Sequence, residues 1–212
     1  MSIISTSKKF IFIHIPKTAG TSIRHILKQH ENPSYGAEFN FHESALDVKR
    51  RISSDIFDNS YKFAFIRNPW DRMYSFYKYL ISGKFNVYIP ELVPYHHWKE
   101  IGFKRWLLEE EFYIPSHKLP TPDMVPMQRK DMLSWISDDN GNLLVDFIGR
   151  FENIKEDYRT IAAHLDLEKK RLPRRNKSKR KHDYRTEYDN EMIDFVEFQF
   201  KRDINAFNYT FE

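Results

Sequence analysis

The sequence predicts an α/β domain with a mostly parallel central sheet, on three observations. Two short apolar runs, Phe10 to Ile15 and Lys62 to Ile66, each end in a polar loop that hands over to a stretch of helical spacing. A third pairing repeats the order, with Leu143 to Phe151 followed by Ile154, Tyr158, Ile161, Ala162 and Leu165. Unbroken apolar runs suit strands covered on both faces, and strands alternating with helices suit parallel pairing, with ligands gathered at the carboxyl ends of the strands.

Taken in chain order, Phe-Ile-Phe-Ile-His-Ile (10 to 15) reads as a strand that Pro16 ends. After the loop 17–21, Ile23, Ile26 and Leu27 give a helix, with Thr21 or Ser22 as the expected N-cap. The stretch Phe41 to Ile52 reads as a loop entering a helix through Ala45, Leu46 and Ile52. Following the second strand, Asn68 can cap and Pro69 can occupy the first turn of a helix whose apolar stripe is Trp70, Met73, Tyr77 and Leu80. Residues 82–142, rich in proline and aromatics, have one helical patch at Phe103, Trp106 and Leu107 and read as an insertion that forms a lid or acceptor wall. A final helix is expected to carry Ile193, Val196, Phe200, Ile204 and Phe207. All 212 residues then make one domain, with the insertion inside it.

Composition narrows the chemistry. The chain has no cysteine, which excludes disulfides, thiolate metal sites and cysteine nucleophiles, and no His or carboxylate spacing argues for a metal. No signal-peptide pattern and no apolar run of membrane-spanning length is found, so a soluble, cytoplasmic protein is expected. The net charge of +4 is unevenly spread: Lys169 to Lys181 holds nine Lys and Arg and no acid, and the rest carries 25 basic against 30 acidic residues. That pattern suggests a local anion partner, or a solvated loop, rather than a nucleic-acid coat.

Two loops carry the chemistry. Ile-Pro-Lys-Thr-Ala-Gly-Thr-Ser (15 to 22) places a cation, a glycine and three hydroxyls where a strand passes into a helix. Gly20 allows close approach of the backbone, N–H groups point at an anion, Thr18, Thr21 and Ser22 can donate, and Lys17 adds charge. It is not a Walker A loop, because Lys17 precedes the only glycine. In the second loop, Arg67 stands at a strand end and Ser75 two helical turns on; a guanidinium fork and a hydroxyl suit a phosphate. Asp71 and Arg72 are expected to fix this loop through ion pairs. One ligand with two separated phosphate-like groups would explain both loops.

Phe-Ile-His-Ile-Pro-Lys-Thr-Ala-Gly-Thr-Ser (12 to 22) and Phe-Ile-Arg-Asn-Pro-Trp-Asp-Arg-Met-Tyr-Ser-Phe-Tyr (65 to 77) resemble the 5′-phosphosulfate loop and the 3′-phosphate motif of the sulfotransferases that use 3′-phosphoadenosine 5′-phosphosulfate (PAPS), above all the carbohydrate branch. Asp146 to Asn153 and Arg202 to Tyr209 are also similar to family segments. The resemblance implies a P-loop-like three-layer fold, PAPS as donor, a carbohydrate or glycoconjugate acceptor and no metal. Carried over by position, it gives Lys17 the phosphosulfate and its bridging oxygen, and Thr18, Gly20, Thr21 and Ser22 the 5′-phosphate. Arg67 and Ser75 take the 3′-phosphate, and the stretch with Asn176, Lys177, Ser178 and Arg180 is similar to a late loop that closes over the nucleotide. His42 lies where related carbohydrate enzymes often carry a catalytic histidine, so it is expected to be the base, against a surface histidine beside a helix start, with Glu43 as the fallback. Family members of the secretory pathway carry an amino-terminal anchor that this sequence does not show.

Other residues have two readings. His14 is expected to be a core or pocket-wall residue. His96 and His97 suit an acceptor site or a solvated loop, and Tyr88, Tyr95, Trp98, Trp106 and Tyr113 suit sugar stacking or ordinary packing. Without the resemblance, a kinase-like P-loop enzyme and a non-catalytic polyanion-binding module both remain open.

Overall fold

The computed structural model describes residues 2–35, 42–82, 95–110, 129–168, 172 and 183–211. In chain order these form β1 (Ile3–Ser5), β2 (Phe10–Ile13), α1 (Gly20–Leu27), α2 (Ala45–Arg51), α3 (Ser54–Asp58), β3 (Tyr61–Ile66), α4 (Pro69–Leu80), α5 (Tyr95–Glu109), α6 (Leu133–Ile136), β4 (Phe147–Arg150), α7 (Ile154–His164), α8 (Asn190–Gln199) and α9 (Lys201–Phe207). They fall into two compact units, Met1–Arg67 with Met132–Asn176, and Asn68–Asp131 with Lys177–Glu212.

The first unit holds the α/β sheet, in the order β1-β2-β3-β4. β2, β3 and β4 are parallel, with Phe12 opposite Phe63 and Phe63 opposite Phe147, while β1 runs antiparallel to β2. The sequence reading missed β1: three residues beside a polar turn are too few for a periodic signal. On one face Phe10, Phe12, Phe63 and Phe65 meet Ile23, Ile26 and Leu27 of α1 and Tyr158, Ile161, Ala162 and Leu165 of α7. On the other, Ile11, Ile13, Ala64 and Ile66 are equally buried. Burial on both faces is why these strands read as unbroken apolar runs, and each such side chain contributes on the order of 2 kcal/mol.

The fourth strand is shorter than the expected 143–151. Leu143 makes only an isolated bridge with Ser137, and strand pairing begins after Asp146, whose carboxylate accepts the Lys62 N–H at 2.7 Å. Inside β4, a methyl group on Gly149 would come within 2.5 Å of the Phe65 ring. Gly149→Ala should therefore overpack the sheet and destabilise the protein by about 1–3 kcal/mol, read as a lower urea midpoint with an unchanged slope.

The second unit packs α4, α5, α8 and α9 around aromatic side chains. Asn68 caps α4 by accepting from the N–H groups of Trp70 and Asp71, with Pro69 in the first turn, as the sequence predicts. Trp98 and Trp106 are 2% and 1% exposed, the latter stacked near Phe76 and Phe103, so both are packing residues rather than sugar platforms. Tyr88 and Tyr113 lie outside the described residues, as does the side chain of Tyr95. α5 breaks at Gly102, which adopts φ 79°. Arg72 is fully buried, donates to the Lys130 carbonyl at 3.1 Å and lies over the Phe200 ring, and Asp71 is buried beside it in sequence. The expected final helix is two helices: Phe200 leaves helical geometry at φ −112° and ψ 25°, ending α8 and capping α9. That bend turns Val196 and Phe207 inward together, a requirement of packing that helical spacing does not reveal.

Candidate active site

Parallel pairing decides where the functional loops emerge. With Ile13 opposite Ala64 and Ile66 opposite Arg150, β2, β3 and β4 all end at one edge of the sheet. The chain beyond those ends carries Lys17, Arg67 and Phe151, and Arg67 meets the other two. The Arg67 guanidinium donates through Nη1 to the Lys17 carbonyl at 2.9 Å, and its central carbon lies over Phe151, 3.9 Å from the ring centre. Arg67 is 4% exposed, and its backbone N–H points to the sulfur of Met132 at 3.4 Å. The two sequence motifs are thus joined by one buried cation.

The loop itself is held in an unusual shape. Lys17 and Ala19 both have left-handed backbones, at φ 70° and 69°, which costs a residue with a Cβ on the order of 1 kcal/mol each. Thr18 is fully buried and its hydroxyl donates to the Ile15 carbonyl at 3.0 Å. The hydroxyl expected to donate to an anion is instead engaged within the loop. The expected cap at Thr21 or Ser22 is corrected: α1 starts two or three residues earlier, capped by Ala19 in the left-handed region and without any side-chain cap hydrogen bond. The alanine side chain carries no acceptor, and the Ala19 carbonyl accepts from the N–H groups of Ser22 at 2.9 Å and Ile23 at 3.4 Å. The N–H groups of Gly20 and Thr21 at the helix start thus receive no side-chain cap from Ala19, and a helix start of this kind favours an anion. Ser22 is buried in the first turn and Thr21 is exposed.

Gly20 is where the loop touches a histidine. A Cβ at this position would fall 1.8 Å from Cδ2 and 2.0 Å from Nε2 of His14. The His14 ring is 9% exposed, stacks on Phe12 and lies 4.5 Å from the His42 ring at 60°. His42 stands just before α2, which opens on a capping box between Ser44 and Asp47. Its Nδ1 donates to the His14 carbonyl at 2.7 Å, because a carbonyl can only accept, and its ring makes an edge-type contact with Trp135 from α6, 6.0 Å between centres. That bond fixes the tautomer: the Nε2 lone pair is left to accept a proton. Burial lowers the His42 pKa to about 3, with the positive charges of the amino terminus, Lys17 and Arg24 acting in the same direction. His14 is lowered as well, first by burial and then by His42. Both rings are neutral near pH 7. Glu43, the fallback base, has both carboxylate oxygens taken by Arg51 at 2.7 and 2.9 Å.

The sequence-derived residues Lys17, Thr18, Gly20, Thr21, Ser22, His42 and Arg67 thus belong to one unit. Ser75 lies half-buried on α4 of the other unit, while Asn176 and Arg180 fall outside the described residues. His96 and His97 are exposed on α5, with His97 beside Glu110 at 3.3 Å. Sequence reasoning did not single out Phe151, whose signal was an aromatic at a strand end, while His14 is the core or pocket-wall residue expected from a polar ring inside an apolar run. Among the described residues, no group of three or more His, Asp or Glu is placed to hold a metal, and no helix is long and apolar enough to cross a membrane. The family model described as the sulfotransferase family matches residues 1–210. Comparison with the curated proteins and with the solved structures found no match.

Proposed function

The chain belongs to the sulfotransferase family, in its carbohydrate branch, and we propose that it moves a sulfuryl group from PAPS to a hydroxyl of a carbohydrate acceptor by in-line displacement. The observation that carries this reading is the Arg67 to Lys17 hydrogen bond, which gathers both anion loops at one sheet edge beside an uncapped helix start. PAPS supplies the sulfuryl group and leaves as adenosine 3′,5′-bisphosphate. Backbone N–H groups from Thr18 to Thr21, with Ser22, hold the 5′-phosphate, and the Lys17 ammonium meets charge growing on the bridging oxygen. Arg67 serves the 3′-phosphate end; Ser75, Asn176 and Arg180 stay in the scheme as the nucleotide-binding residues that the family resemblance implies. His42 takes the acceptor proton at Nε2. No step in this scheme calls for a metal, and the cytoplasm is the location it assumes.

Calorimetry tests the reading. The bisphosphate should bind without magnesium and more tightly than ATP with magnesium; the reverse order would replace sulfuryl transfer by a kinase-like reaction. Arg67→Ala should weaken bisphosphate binding at least tenfold, roughly the worth of a charge-assisted hydrogen bond, and should lower the melting temperature because the part-buried bond from Arg67 to the Lys17 carbonyl is lost. Unchanged affinity in that variant would remove Arg67 from the site. A screen of labelled PAPS against oligosaccharides, glycolipids and small phenols identifies the acceptor.

A further inference from the structure

Gly20 has a backbone that does not need glycine. The glycines with positive φ among the described residues are Gly102 and Gly141, so the local geometry at position 20 admits an ordinary side chain. What forbids one is the His14 imidazole, which fills the space a methyl group would take. The same ring stacks on Phe12, a core residue of β2, and lies 4.5 Å from the His42 ring. A single aromatic wedge therefore touches the rigid sheet, the start of α1 and the proposed base. On the reading given above, we propose that His14 is a positioning residue for the transfer, a spacer that sets where His42 stands relative to the anion loop and makes glycine obligatory at position 20.

The wedge also decides what surrounds His42. His14 comes from the end of β2, Lys17 from the loop, Arg24 from α1 and Trp135 from α6, and the charge of the amino terminus acts there too. The neighbouring carboxylate, Glu43, is held by Arg51. With the ring removed, water reaches His42 while the backbone carbonyl of residue 14 still accepts from its Nδ1, so a change in the titration of His42 reports the ring alone.

The test is a cycle of Gly20→Ala, His14→Ala and the double variant, followed by bisphosphate calorimetry, melting temperature and the His42 ring signal in NMR. Gly20→Ala alone should lose about tenfold in bisphosphate affinity and melt lower, because its methyl collides with the ring. The double variant should regain affinity to within about threefold of wild type and recover part of its melting temperature, since the methyl now enters the vacated space. In His14→Ala and in the double variant, the His42 titration midpoint should rise by about one unit or more toward the ordinary imidazole value. Losses that simply add in the double variant, or a His42 midpoint that stays put when His14 is removed, would overturn the proposal. If wild type binds no bisphosphate, the sulfotransfer reading falls, and the spacer is still decided by the melting temperatures and the His42 signal.

Discussion

Lys17→Ala should slow sulfuryl transfer by about 100-fold to 1,000-fold while retaining part of the bisphosphate affinity. The asymmetry follows from how the loop is held. Its shape depends on backbone features: the left-handed turns at residues 17 and 19, the Thr18 hydroxyl on the Ile15 carbonyl, and Arg67 on the Lys17 carbonyl. None of them uses the lysine ammonium, so truncation removes the charge and leaves the cradle. The ammonium matters most where negative charge accumulates on the departing oxygen, which is a property of the transition state and not of the bound product. Single-turnover rates set beside calorimetry separate the two. Equal losses in rate and affinity would show that Lys17 only binds, and full activity would remove it from the mechanism.

Replacing His42 has an effect of similar size on a different axis. His42→Gln should lower the transfer rate by about 100-fold or more, because glutamine cannot take the acceptor proton. In wild type the acid limb of kcat/KM, which reports the free enzyme, should lie well below pH 6, since the His42 pKa is lowered to about 3. Stability carries the same signature with a definite sign. Between pH 6.5 and 3 the unfolded chain binds a proton at this histidine that the folded chain refuses. The stabilisation is therefore complete above about pH 6.5 and is lost as pH falls, with a slope of up to about 1.4 kcal/mol per pH unit. His14, lowered by burial in the same sense, steepens the slope. Urea unfolding from pH 7 to pH 4 should show His42→Gln less sensitive to acid than wild type; parallel curves would mean that His42 is solvated.

The parts of this architecture that were legible were those written in local chemistry. The apolar runs that became β2 and β3, the Asn68-Pro69 cap and the stripe Ile154 to Leu165 all express short-range rules, and the structure follows them. Within the candidate site, the loop residues could be read because cation, glycine and hydroxyls lie side by side in sequence. Features that join distant segments could not. Arg67 stacking on Phe151, the His14 ring filling the space beside Gly20, and the break at Phe200 each depend on a neighbour brought up by the sheet or by a helix far along the chain. The cap of α1 failed for a related reason. Thr21 and Ser22 are good capping residues, yet the turn at Ala19 starts the helix before them. Local preference for a hydroxyl cap gave way to a conformation that keeps the helix end open.

The two left-handed residues flanking Thr18 have a further bearing on evolution in the laboratory. Asparagine or glycine at position 19 would relax the turn and, by itself, raise the unfolding free energy. A selection for thermal endurance should therefore find that position early. The same change lets the loop wander when empty, so the ordering now met once, as the chain folds, would recur at every donor encounter. Hardier proteins from such a selection should be slower to capture nucleotide.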